Sequence, residues 1–116
     1  MKITEKSDEE IREIADPMWN DLIKNSNKGN YGKFIRNFSR TLMGANTEVE
    51  LGKQFAHSAV TKNMSKNPEF LGVIRRGEYV TVLYKQRNDK MPGEWLGRLV
   101  LGYEDGEIKI FGATVF

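Results

Sequence analysis

EWLGRLVLGYEDGEIKIFGATVF, Glu94 to Phe116, is the stretch whose reading decides the fold. Two runs of alternating apolar residues flank Asp105-Gly106, a dipeptide suited to a two-residue type I′ hairpin, in which both central residues take positive φ. That turn predicts pairing of Tyr103 with Ile108, Leu101 with Ile110, Leu99 with Gly112 and Trp95 with Phe116. One face of the hairpin then carries Trp95, Leu99, Leu101, Tyr103, Ile108, Ile110 and Phe116. The other face mixes Arg98 and Lys109 with Leu96, Val100, Phe111 and Val115.

The two-residue period reaches back to Glu69. EFLGVIR and YVTVLYKQR read as two more strands, punctuated by RG and NDKMPG. Val80, Val82 and Tyr84 are the apolar set of the second strand and share the first face, while Lys85 and Arg87 join the mixed one. The hairpin at Arg76-Gly77 admits two registers of opposite parity, so which face is concave is left open by this pattern.

Upstream the period is helical. Ser7 and Glu10 form a capping box, and Ile11, Ile14, Ala15, Met18, Leu22 and Ile23 follow on one stripe. Pro17 either kinks one helix or, with Asp16 as cap, starts a second. Because the stripe keeps its phase, one kinked helix from about Ser7 to Asn25 is the expectation. SNKGN breaks it, Asn30 caps a second helix bearing Tyr31, Phe34, Ile35, Phe38 and Leu42, and GAN ends that one. Thr47 and Glu50 form another capping box, opening a third helix through Leu51, Phe55, Ala56, Ala59 and Val60 to about Met64. Helices followed by an antiparallel meander make residues 1–116 a single α+β domain.

Composition narrows the function. With 116 residues, the chain can bury roughly 60–70% of its unfolded surface without disulfide or metal. Eighteen basic and sixteen acidic residues leave a net charge of +2 with no basic tract, which argues against a nucleic-acid binder. There is no cysteine, and hence no thiol nucleophile. Neither a signal-peptide h-region nor a membrane-spanning run is present, so the expected location is the cytoplasm, away from membrane.

Two local patterns carry a resemblance. KGNYGKFIRNFS resembles the gDy..F...fs helix of the nuclear transport factor two-like superfamily, and GEIKIFGATVF resembles its closing strand, w.i.g..v. With the element order, the resemblance spans about Ser7 to Phe116 and is greatest to the small, uncharacterised bacterial branch. It implies a cystatin-like cone, with N-terminal helices packed on the concave face of a curved antiparallel four-stranded meander. It also implies a pocket at the open end of that cone and a homodimer through the outer sheet face, which Leu96, Val100, Phe111 and Val115 would suit.

Within such a cone the isomerase-type members use a carboxylate base and a tyrosine, and the dehydratase-type members a His–Asp pair. Glu69, Glu78, Glu94, Glu104, Asp105 and Glu107 all fall at strand ends or turns, and the single histidine, His57, lies off the apolar face of its helix. No metal-ligand spacing, serine-nucleophile motif or cofactor motif is present. The aromatics remain. Phe34 and Phe38 read chiefly as core, whereas Trp19, Tyr31, Tyr84 and Trp95 carry polar handles near element ends. Trp19, Tyr31, Phe34, Tyr84 and Trp95 are thus the pocket candidates, and Arg98, Arg87 and Lys85 are solvated cations unless the pocket mouth lies beside them. The reading that follows is a module that binds a small hydrophobic ligand or a partner, without catalytic residues or cofactor. The alternative is an isomerase- or hydrolase-type enzyme acting on a small hydrophobic substrate, with Tyr84 and a strand-end acid.

Overall fold

The computed structural model describes residues 2–45 and 61–116. A 3-10 turn, Ile3–Glu5, precedes helix α1, Asp8–Lys28; two short helices follow, α2, Tyr31–Phe34, and α3, Arg40–Ala45. Four strands complete the chain: β1, Glu69–Arg76; β2, Tyr79–Gln86; β3, Trp95–Glu104; and β4, Glu107–Val115. They form one antiparallel sheet in the order β1-β2-β3-β4, with α1 packed on one face. The chain is therefore α+β, as the change of period at Glu69 predicts.

Helix α1 begins at the expected capping box: Ser7 Oγ accepts from the Glu10 backbone N–H, and the Glu10 carboxylate accepts from the Ser7 N–H. It is one helix through Pro17, which stands on the exposed side where water can take the carbonyl that the proline leaves unpaired. It ends three residues beyond expectation. Gly29 at φ 68° and Asn30 return their N–H groups to Ser26 and Asn25, a Schellman closure.

The second predicted helix is two. Asn30 caps α2 as expected, but α2 stops at Phe34. Ile110 of β4 accepts from the Ser39 N–H at 2.8 Å and donates to the Asn37 carbonyl at 2.7 Å, so these backbone groups pair with the sheet instead of a helix. Ser39 then caps α3 through its Oγ. Phe34 and Phe38 stay buried and meet edge to face at 5.4 Å, so these two rings are core, as expected. Of the third predicted helix, Thr47, Glu50, Leu51, Phe55, Ala56, His57, Ala59 and Val60 lie outside the described residues. Its expected end is not helical: Thr61 to Asn63 turn, and Met64 pairs with Asn88.

Both tight hairpins form. Asp105 and Gly106 have φ of 53° and 79°, the type I′ pattern, and Gly77 at 61° opens the first turn, which pairs Arg76 with Tyr79. That register puts Val80, Val82, Tyr84 and Gln86 on the buried face, against Ile11, Ala15, Trp19, Leu22 and Ile23 of α1. In the β3–β4 hairpin the predicted pairs hold as far as Leu101–Ile110; Phe111 is then an extra residue, and Leu99 faces Ala113 instead of Gly112. The bulge exchanges the parity of everything after it. Val115 moves to the helix side opposite Gly97, and Phe116 pairs with Leu96 instead of Trp95 and is 67% exposed. No helix among the described residues is long and apolar enough to cross a membrane.

Candidate functional site

The i, i+4 ridge of α1 carries Arg12, Asp16 and Asn20 beside the apolar stripe. Opposite them stand Phe70 of β1, Tyr84 of β2 and the loop residues Lys66, Asn67 and Pro68. Together these residues enclose an open cleft of about 230 Å³.

Tyr84 is the floor of this cleft. Its ring is 2% exposed and stacks on Trp19, with centroids 5.2 Å apart, while its hydroxyl donates to Asp16 Oδ1 at 2.7 Å. Burial first, and the Asp16 bond second, push the phenol pKa far above its ordinary value of 10.0. The other Asp16 oxygen, Oδ2, accepts from Arg12 Nε at 3.3 Å, and the Arg12 guanidinium lies 4.3 Å over the Phe70 ring. Both carboxylate oxygens therefore already hold a donor, and the arginine is fixed by an acid and a ring.

The wall across from α1 is held by two amides, the buried Gln86 and the half-buried Asn27. Gln86 accepts from the Trp19 indole N–H at 3.0 Å and donates to the carbonyls of Ser65 and Arg87. Asn27 both donates to the Met64 carbonyl and accepts from its N–H, and Ser26 donates to the Thr61 carbonyl. Lys66 thus projects from a backbone pinned on its N-terminal side.

The pocket candidates separate. Tyr84 reaches the cleft; Trp19 and Phe34 are core at 3% and 7% exposure. Tyr31 folds over Gly29, and Trp95 is half-buried above Gly93. The space among Trp19, Leu22, Ile23, Phe34, Met64 and Ala113 is about 50 Å³, room for one or two waters. On the outer sheet face Leu96, Val100 and Phe111 are half-buried, and Val115 is no longer with them, because the bulge at Phe111 turns it inward. Arg98 lies on that outer face with Tyr79, Val100 and Phe111 and does not line the cleft, while Lys85 and Arg87 pair with Glu94.

Sequence reasoning missed Arg12, Asp16, Asn20 and Gln86. The signal for Gln86 was its inward parity after Val80, Val82 and Tyr84; for the others it was the polar i, i+4 ladder bordering the apolar stripe. Among the described residues, no three His, Cys, Asp or Glu side chains converge as a metal site would need. No family model matches the chain, and no curated protein does.

Proposed function

We propose that the chain is a small-molecule-binding module of nuclear transport factor two-like type, whose ligand occupies the Arg12–Asp16–Asn20–Lys66–Phe70–Tyr84 cleft. The observation that carries this reading is the double engagement of Asp16, by the Tyr84 hydroxyl at one oxygen and Arg12 Nε at the other. Each Asp16 oxygen keeps a second lone pair, but the two bonds set the orientation of the carboxylate toward the phenol and the guanidinium. Among the described residues Asp16 is the one carboxylate lining the cleft, and it serves to hold a phenol and a guanidinium in place, which favours recognition over acid–base chemistry. Phe70 and Pro68 offer the apolar contact, and Asn20, Asn67 and Lys66 the polar contacts, that orient a ligand.

The same pair supports a second reading, an isomerase- or hydrolase-type enzyme. A substrate oxygen that accepted the Tyr84 proton would release Asp16 Oδ1 to act as base. Backbone-amide NMR with a fragment library separates the two. Shifts clustered at Asp16, Asn20, Phe70 and Tyr84 are expected; shifts confined to Trp19, Phe34 and Val115 would move the site to the core cavity. Turnover abolished by Asp16→Asn with binding retained would establish the enzyme. We place a homodimer contact on the outer sheet face around Leu96, Val100 and Phe111, supported by the half-buried state of these residues on a face that no described helix covers.

A further inference from the structure

The cleft does not end at Asn20. Asn20 and Lys66 also line a neighbouring groove of about 450 Å³, bounded further along α1 by Ile23, Lys24, Asn27 and Lys28. One trough thus runs beside the helix from Arg12 to Lys28.

Its charges are unevenly used. Arg12 is spent on Asp16 and Phe70. Asp21, three residues before Lys24 on α1, is taken by Arg36 at 2.6 Å. Lys24, Lys28 and Lys66 are exposed and pair with no acid among the described residues. Three lysines without an acid partner among the described residues therefore line one groove. Two are a helical turn apart on α1, and the third comes from the loop that Asn27 and Gln86 pin. Ile23, 2% exposed, supplies an apolar floor between them.

We propose that the ligand of this trough carries a phosphate monoester or a similar multiply charged anion, held by Lys24, Lys28 and Lys66, with its organic part reaching past Asn20 to Pro68 and Phe70. The proposal rests on the cleft being the binding site. The planar fork of arginine matches carboxylate and phosphate alike, whereas lysines act as mobile point charges, several of which can converge on one multiply charged anion. Arg12, the guanidinium lining the trough among the described residues, is already committed, so what remains is three point charges, which suit an anion of more than one charge such as a phosphate. Pinning the Lys66 backbone before binding lowers the ordering cost of the third contact.

Paired probes on the full chain test this at constant ionic strength: phenyl phosphate, phenol and inorganic phosphate, each titrated by backbone-amide NMR. Phenyl phosphate is expected to bind at least tenfold more tightly than phenol, with shifts at Lys24, Lys28 and Lys66. That advantage is expected to vanish in a Lys24→Ala/Lys28→Ala/Lys66→Ala variant, whose substitutions are all at exposed positions. Competition by inorganic phosphate would support the same assignment. Equal affinities, or an advantage that survives the triple substitution, would overturn it. Phenol binding alone at Phe70 and Tyr84 would overturn the phosphate and leave the cleft standing; no binding by any probe would remove both.

Discussion

Tyr84 Oη stands 2.7 Å from Asp16 Oδ1, tying the centre of the sheet to the third turn of α1 at the point where the core opens into the cleft. The bond satisfies the one polar atom of a ring that is otherwise stacked on Trp19 and 2% exposed. Tyr84→Phe keeps the stack and removes the donor. A hydrogen bond to a charged, partly solvated acceptor contributes on the order of 1–2 kcal/mol, and that loss is expected in denaturant unfolding. A variant as stable as the parent would show that Asp16 is equally well served by water.

The same bond gives a pH signature. Burial and Asp16 raise the folded-state pKa of Tyr84 above its ordinary 10.0. The native protein thus keeps a proton that the unfolded chain releases, and the stabilisation is complete below pH 10. It is lost as pH climbs above 10, by up to about 1.4 kcal/mol per pH unit. Tyr84→Phe has no such proton. Its deficit relative to the parent should therefore shrink between pH 8 and pH 11 in matched urea titrations. A constant gap would mean that Tyr84 ionises alike in both states.

Gln86 is a polar residue in an apolar series, and its three hydrogen bonds account for it. Gln86→Leu strands the Trp19 indole N–H in the core and unpins Ser65, and about 2–3 kcal/mol of stability should be lost. Trp19→Phe removes the stranded donor. The double variant should then cost less than the two single variants together, by roughly 1 kcal/mol or more. Simple additivity would deny the bridge.

What was legible follows from the range of each interaction. The Ser7–Glu10 box and the Asp105-Gly106 turn are local, so three or four residues suffice to specify them. The bulge at Phe111 is not local in that sense, since an extra residue in β4 has meaning only against its partner Val100–Leu101 in β3. That is why Val115 and Phe116 were assigned to the wrong faces while Leu101 and Ile110 were not. The cleft was hidden similarly. In sequence Asp16 is one more polar residue of a helix expected to kink at Pro17, or the cap of a second helix, and its role appears only when β2 brings Tyr84 to it across 68 positions. Ile110 interrupts the second helix by the same kind of distant pairing.

Two glycines of β3 offer a controlled comparison. A Cβ on Gly97 would lie 2.5 Å from Trp19 Cζ2, and one on Gly102 2.7 Å from Tyr79 Cδ1. The overlaps are alike but the neighbours are not: Trp19 is locked by Tyr84 and Gln86, while Tyr79 is 40% exposed and can swing outward. Gly97→Ala should therefore cost about 1–3 kcal/mol and Gly102→Ala distinctly less in thermal or chemical unfolding. Equal costs would show that the Trp19 ring is not held.

The outer face and the register can be tested with one pair of acids. Val100 is half-buried beside Phe111 on the side away from α1, whereas Val115 packs toward the core with Trp19 and Leu22. Val100→Glu meets water in a monomer, but in a dimer through this face it buries an unpaired charge, which is strongly unfavourable. Light scattering should give a dimeric parent and a folded, monomeric Val100→Glu whose unfolding midpoint, unlike the parent's, does not depend on protein concentration. Val115→Glu should instead lower the stability of the monomer itself, by about 1–3 kcal/mol, because its carboxylate would face apolar neighbours. A monomeric parent would dispose of the homodimer, yet the two stabilities would still report on the bulge. If Val115→Glu were the harmless one and Val100→Glu the damaging one, the parity after Phe111 would be the reverse of that described.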